Sequence, residues 1–384
     1  MAVRPLSSLF LLLLLPLAAS IRIAAAVADG MWVSTAENLT HPRTHHTATL
    51  LSGDYVIVIG GYDGSAMVTS ELFVPTTEHW APSETMNYAR YWHTATLLSD
   101  NNTVLVAGGF DHTDTPTDTV EKLGFSWFVA SPMINARAQH AATLLTNGLV
   151  LVAGGRQGSN TYLKQCELYN ATIDQWTATG SITSYTEGVA QFGITLLQSG
   201  LVIAVNGLGG GGPYTASNLY DPSTGVWTLV TDSSPNWGTY DNIAVLMNDG
   251  KLLIAGGADV NSEIVAYAAI YDPSQGSLGK WISTGKMKNE TSNSAAAYLH
   301  SGEALVAGGL GGTEVLSSCE LFNETRSTWS YTGSLQMARE FHTATLLSSG
   351  NVLVVGGDDG YGNYIGTSEY YNTCGNNQVG LLCD

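Results

Sequence analysis

The sequence predicts an all-β fold, a seven-bladed β-propeller, on three observations. An apolar run closes on a glycine pair at Gly60-Gly61, Gly108-Gly109, Gly154-Gly155, Gly256-Gly257, Gly308-Gly309 and Gly356-Gly357, with Asn206-Gly207 as a degenerate copy. Successive spacings are 48, 46, 52, 50, 52 and 48 residues, the period of a small unit that stacks on copies of itself. A tryptophan follows the first six pairs, at Trp80, Trp127, Trp176, Trp227, Trp281 and Trp329, while Trp32 stands ahead of all of them.

Each unit reads as four short antiparallel strands, a to d. Strand a is the HTATLL run at 93–98 and 342–347, or HAATLL at 140–145. A turn such as TNG, QSG or NDG joins it to strand b, the run ending in the glycine pair, which is a hairpin signal. A polar loop leads to strand c, which carries an aromatic in ELF at 71–73, ELY at 167–169, NLY at 218–220, AIY at 269–271 and ELF at 320–322. The tryptophan marks strand d. No unit has a helical period or enough apolar surface to fold alone, so the units must bury both faces against neighbours around an axis. The seventh unit has strands a to c but no tryptophan after them. Trp32 therefore supplies strand d of blade 7, which joins the ends and removes an open edge. The blades fall at about 43–80, 90–127, 137–176, 189–227, 239–281, 291–329, and 339–372 with 30–35.

The pattern R-x-x-H-T-A-T-L-L, V-L-V-A-G-G, E-L-Y and W resembles the kelch repeat, in the branch shared with galactose-oxidase-type propellers, over Trp32 to about Asn372. The most conspicuous polar motif is the R-x-x-H before strand a, at Arg43/His46, Arg90/His93, Arg137/His140 and Arg339/His342; blades 4, 5 and 6 carry Val189/Phe192, Thr239/Asn242 and Thr291/Ser294 instead. Four histidines at one mouth make His46, His93, His140 and His342 candidates for a metal site, since imidazole suits copper and zinc. The competing expectation is structural. Glu71, Glu121, Glu167, Glu320 and Glu369 occupy one strand-c slot, and blades 4 and 5 lack both the Glu and the Arg, as a pairing would require. The resemblance to galactose oxidase implies copper held by a Tyr-His pair at this entrance, a second Tyr cross-linked to Cys, and a His from a further C-terminal domain. Here His45, Trp92, Gln139 and Phe341 precede the four histidines, and about a dozen residues follow the last strand. Those radical-copper residues are missing, and no cofactor is expected. The glycine-rich run Gly207–Gly212 follows a strand but opens no helix, so it is no phosphate loop.

Residues 1–28 read as a signal peptide: Arg4, then an apolar stretch from Leu9 to Ala19 broken by Pro16, with cleavage after Ser20 or Ala28. Residues 29–372 form the propeller and 373–384 a short tail. Sequons at Asn38, Asn101, Asn170, Asn289 and Asn323 fit a secreted glycoprotein, and so does a disulfide between Cys374 and Cys383 in the tail. Cys166 and Cys319 fall on blades 3 and 6, too far apart to bond, and read as buried thiols. No second apolar stretch reaches membrane-spanning length.

Acidic residues outnumber Lys and Arg by 32 to 14, for a net charge of −18, which excludes nucleic acid and anionic lipid as partners. The expected role is a binding or scaffold module for a protein or carbohydrate ligand. The alternative is a sugar-active enzyme on the same ring, of mutarotase, epimerase or oxidase kind. Aromatic residues outside the repeat slots, Tyr91, Trp92, Tyr214, Trp237 and Tyr240, mark the face of the b–c and d–a loops as the binding surface, since Asn101, Asn170 and Asn323 shield the opposite face.

Overall fold

The computed structural model describes residues 30–231 and 238–373. Among them no α-helix occurs, and seven four-stranded antiparallel sheets account for the repeats. Blade 1 shows the pattern: strand a (Thr47–Leu50) pairs with b (Val56–Ile59), b with c (Ser70–Val74), and c with d (His79–Pro82). Strand b is buried throughout in every blade, apart from Glu303 at the start of strand b in blade 6, because each of its faces meets another sheet. That is why it reads as a continuous apolar run and not an alternating one. The core is accordingly divided into seven clusters, most of them between adjacent blades, as where Val56, Val58 and Phe73 of blade 1 meet Leu353 and Val355 of blade 7.

Closure follows the expectation. Met31–Ser34 pairs with strand c of blade 7 (Ser368–Asn372), placing Trp32 opposite Tyr371 with ring centroids 5.1 Å apart. The same aromatic pair recurs in register as Phe73/Trp80, Tyr169/Trp176, Tyr220/Trp227, Tyr271/Trp281 and Phe322/Trp329. Trp32 Nε1 also donates to Gly333 O, which ties the first strand to the loop between blades 6 and 7.

The glycine pairs are required by close approach. Gly60 and Gly61 have φ of 59° and 108°, and a Cβ on Gly60 would lie 2.6 Å from Arg90 O of the next blade. Only glycine adopts this backbone and leaves that space. At the degenerate copy Asn206 sits at φ 56°, a left-handed conformation asparagine tolerates. Cys166 and Cys319 are buried free thiols, each pushed up to about 12 by burial. Residues 1–29, where the leader is expected, and 374–384, with Cys374 and Cys383, lie outside the described residues.

Candidate functional site

The repeated Arg and Glu are scaffold. Arg43 is fully buried: Nη1 donates to Gly60 O (2.8 Å) and Thr69 O (3.0 Å), and Nη2 to Glu71 Oε1 (2.6 Å). Glu71 in turn accepts from the backbone N–H groups of Thr40 and His41. Arg90–Glu121, Arg137–Glu167 and Arg339–Glu369 repeat the pairing, each within one blade. Blade 4, with Val189 and Asn218 in these slots, sends in Tyr185, whose hydroxyl lies 3.1 Å from Asn206 O and 3.0 Å from Ala216 O, the equivalents of the carbonyls Arg43 holds. Blade 6 keeps Glu320 but has Thr291 for the Arg, and burial raises that carboxyl above its ordinary range.

The four histidines wedge between blades. His93 Nε2 meets Thr47 Oγ1 of the preceding blade at 3.0 Å, His140 meets Thr94 at 2.9 Å, and His46 meets Thr343 at 3.2 Å. His342 faces a blade whose equivalent residue is Ala295, and neither of its ring nitrogens has a partner. Burial, with the adjacent arginines, holds all four imidazoles neutral, His342 down to about 3 and the others well below their ordinary value. Among the described residues no group of three or more His, Cys, Asp or Glu is placed to hold a metal ion.

The chemistry lies one residue earlier. His45, Trp92, Gln139, Gln191, Asp241, Asn293 and Phe341, one per blade, all have φ between 52° and 55°. Six backbone bonds link them in succession, from Trp92 N to His45 O at 3.1 Å round to Phe341 N to Asn293 O at 3.0 Å. They form an iris at the axial mouth, on the side of the d–a and b–c loops. The iris has two halves. Over blades 7, 1 and 2 it is aromatic: Trp92 stacks on His45 with centroids 4.5 Å apart, and Phe341 meets His45 edge-on at 4.3 Å. Tyr91, Tyr62, Phe110 and Tyr364 continue the ring contacts outward. Over blades 3 to 6 it is amide and carboxyl. Gln191 Nε2 donates to Asp241 Oδ2 (2.8 Å), and Asn293 Nδ2 to Glu340 Oε2 (2.8 Å).

Between the halves a cavity of about 340 Å³ opens into the channel, lined by Trp92, Gln139, Gln191, Asp241 and Asn242, with Phe192 and Gly193 at its floor. It exists because the repeat lapses there: blade 4 begins strand a with Gly193 where blades 1, 2 and 7 have threonine, and Asn242 replaces the histidine. Asn242 Nδ2 is left buried without a partner. Burial pushes the Asp241 carboxyl up to about 7 against the bond from Gln191, and Glu340 adds repulsion.

No family model and no curated protein matches the chain. Among solved structures it is similar to a novel fungal alcohol oxidase of the AA5 family, in complex with copper, at a TM-score of 0.72 and 17% identity, over 89% of this chain and 76% of that one. It is also similar to the protein YjhT, at a TM-score of 0.57 and 16% identity, over 72% of this chain and 93% of that one. The likeness is one of fold.

The copper of the first neighbour finds no matching donors here. The iris offers one imidazole, His45, which is packed between Trp92 and Phe341 and held neutral by burial, with a pKa down to about 3. The cavity wall carries three amides (Gln139, Gln191 and Asn242), the Asp241 carboxyl and the rings of His93 and His140, whose Nε2 atoms are already taken by Thr47 and Thr94. No three of the His, Cys, Asp or Glu side chains described converge, so the set does not fit copper. Of the five aromatic residues expected on this face, Trp92 lines the cavity. Tyr91 sits behind it, its hydroxyl donating to Asp114 Oδ1 at 2.8 Å. Tyr214 packs on Tyr185 in blade 4, and half-buried Tyr240 precedes Asp241; neither lines the cavity. Trp237 lies outside the described residues. Gln139, Gln191, Asp241 and Asn293 were missed. The position just before the strand-a histidine slot would have found them, because its residue changes from blade to blade beside an otherwise repetitive motif, with Gln alone used twice.

Proposed function

We propose that the axial mouth binds a saccharide. The observation that carries this is the cavity, whose walls set an indole against a row of amides and one carboxyl. The apolar face of a sugar ring stacks on an indole, while planar amides and carboxyls satisfy vicinal hydroxyls. A mostly preformed cleft of this volume holds one monosaccharide unit. The leader and sequons suit a protein acting outside the cell or in the secretory lumen. A glycan array followed by calorimetry tests the reading. Trp92→Ala is expected to weaken capture by more than about 1 kcal/mol, with unchanged folding. Equal affinity in that variant would move the site elsewhere.

A second reading, proton transfer on the bound sugar, is favoured by Asp241. A carboxyl poised near 7 both accepts and releases a proton at neutral pH, as cofactor-free mutarotation requires. Anomer exchange followed by NMR over a monosaccharide panel measures it. Asp241→Asn should abolish any exchange the protein accelerates and leave Trp92-dependent binding detectable; exchange surviving that change would assign the chemistry to another group.

A further inference from the structure

The mouth treats its carboxyl groups differently from the strand-c slots of blades 1, 2, 3 and 7. The four strand-c glutamates that meet an Arg are buried as ion pairs. At the mouth three carboxyls have only neutral partners among the described residues. Asp241 accepts from Gln191, Glu340 from Asn293, and Asp358 from the Thr44 hydroxyl (2.9 Å) and Gly360 N (3.1 Å). Each repels a neighbour: Glu340 raises Asp241, and Asp358 raises Glu340. A second, independent feature lies between them. Asn293 Oδ1 is buried and without a partner, and its orientation is fixed because Glu340, an acceptor, claims the Nδ2 donor. Asp241 and Glu340, each with a single bond from a neutral amide, thus flank the unmet acceptor of Asn293 in sequence around the iris. Across the opening stand the faces of Trp92, His45 and Phe341. Arg156, on the far side in blade 3, is committed to Gln139 Oε1, Ser159 O and the Tyr162 ring.

An excess of acceptors asks for a ligand rich in donors, and aromatic faces beside carboxyls favour a cation. A divalent metal does not suit the arrangement, since no three of these side chains are placed to share one. Resting on the saccharide reading above, we propose that the ligand carries a primary ammonium, an unacetylated amino sugar, with its nitrogen lodged between Asp241, Asn293 Oδ1 and Glu340 and its ring turned to Trp92.

Calorimetry on the full chain with glucosamine, N-acetylglucosamine, glucose and hexylamine separates this from the parent reading. Glucosamine is expected to bind about tenfold more tightly than glucose or N-acetylglucosamine, the worth of one charge-assisted bond. The preference should shrink with added salt and vanish in Glu340→Gln, a nearly isosteric change. Because binding an ammonium favours the ionised form of Asp241, the heat should also report proton release near neutral pH. Hexylamine binding without any sugar binding would keep the ammonium site and discard the saccharide. Glucose binding as tightly as glucosamine would overturn the ammonium site and keep the saccharide, and no binding by any of the four would overturn both.

Discussion

Blades 1, 2, 3 and 7 bury an Arg–Glu pair and a histidine; blades 4, 5 and 6 lack one or more of these, and blade 4 solves the same packing problem by other means. In blade 1 a guanidinium holds two carbonyls and a carboxylate at once. In blade 4 the Tyr185 hydroxyl reaches the same carbonyls from a different chain position, and Asn218 in the glutamate slot meets Ser184. The cavity opens on this irregular side, around the first residues of strand a in blades 4 and 5. Repetition therefore marks what the ring needs to stay assembled, and its lapses mark where room was made.

The sharpest way to break the comparison is to remove the same charge from a paired and an unpaired blade. Glu369→Gln leaves Arg339 buried against a neutral amide and should cost about 3–5 kcal/mol. Glu320→Gln has no guanidinium to orphan and should stay within about 1 kcal/mol. Denaturant midpoints of the two variants measure this, and equal losses would mean that the pairing is incidental.

The second prediction concerns acid. His45, His46, His93, His140 and His342 have folded pKa values held below 6.5, His45 and His342 down to about 3. A base whose pKa is depressed on folding contributes stability that is present above its unfolded value and lost as pH falls through it. Each imidazole should thus cost about 1.4 kcal/mol per pH unit below about pH 6. Asp241, Glu320, Glu340 and Asp358 are raised and pull the opposite way, most of all between the ordinary carboxylate range and about 7. The double variant His93→Gln/His140→Gln isolates the imidazoles: its melting temperature should fall less steeply on acidification than that of the unaltered protein. An unchanged slope would show that these rings do titrate in the folded state.

The smallest expected effect exchanges a single hydroxyl. Thr94→Ala strands His140 Nε2 and should cost about 1–2 kcal/mol, whereas Ala295→Thr offers His342 the partner it lacks and should gain about 0.5–1 kcal/mol. Opposite shifts in melting temperature would confirm that the Thr–His contact is a unit of blade-to-blade adhesion.

The fold was legible because its determinants recur. Gly60 to Gly357 mark where one blade touches the next, Trp32 to Trp329 mark the outer strand, and the missing seventh tryptophan announced the closure made by Trp32 opposite Tyr371. The site was less legible for the same reason. Gln191 and Asp241 follow no period, and nothing in the chain says that residues 50 positions apart exchange a hydrogen bond between neighbouring blades. Trp92 was found because tryptophan is conspicuous outside its slot, while Tyr214 stood out equally and belongs to the packing around Tyr185.

The backbone of the iris restricts what evolution can write there. All seven positions are left-handed, a conformation that suits Asn, Asp and His, strains larger residues and penalises branching at Cβ. The occupants are His, Trp, Gln, Gln, Asp, Asn and Phe: none is branched at Cβ, and the two bulkiest, Trp92 and Phe341, are held there by their packing on His45. Six backbone bonds keep the spacing constant whatever side chain is chosen. The mouth thus behaves as a fixed circle of interchangeable letters drawn from a short alphabet of amides, acids and rings. A new ligand can be met by changing one letter, without redrawing the circle.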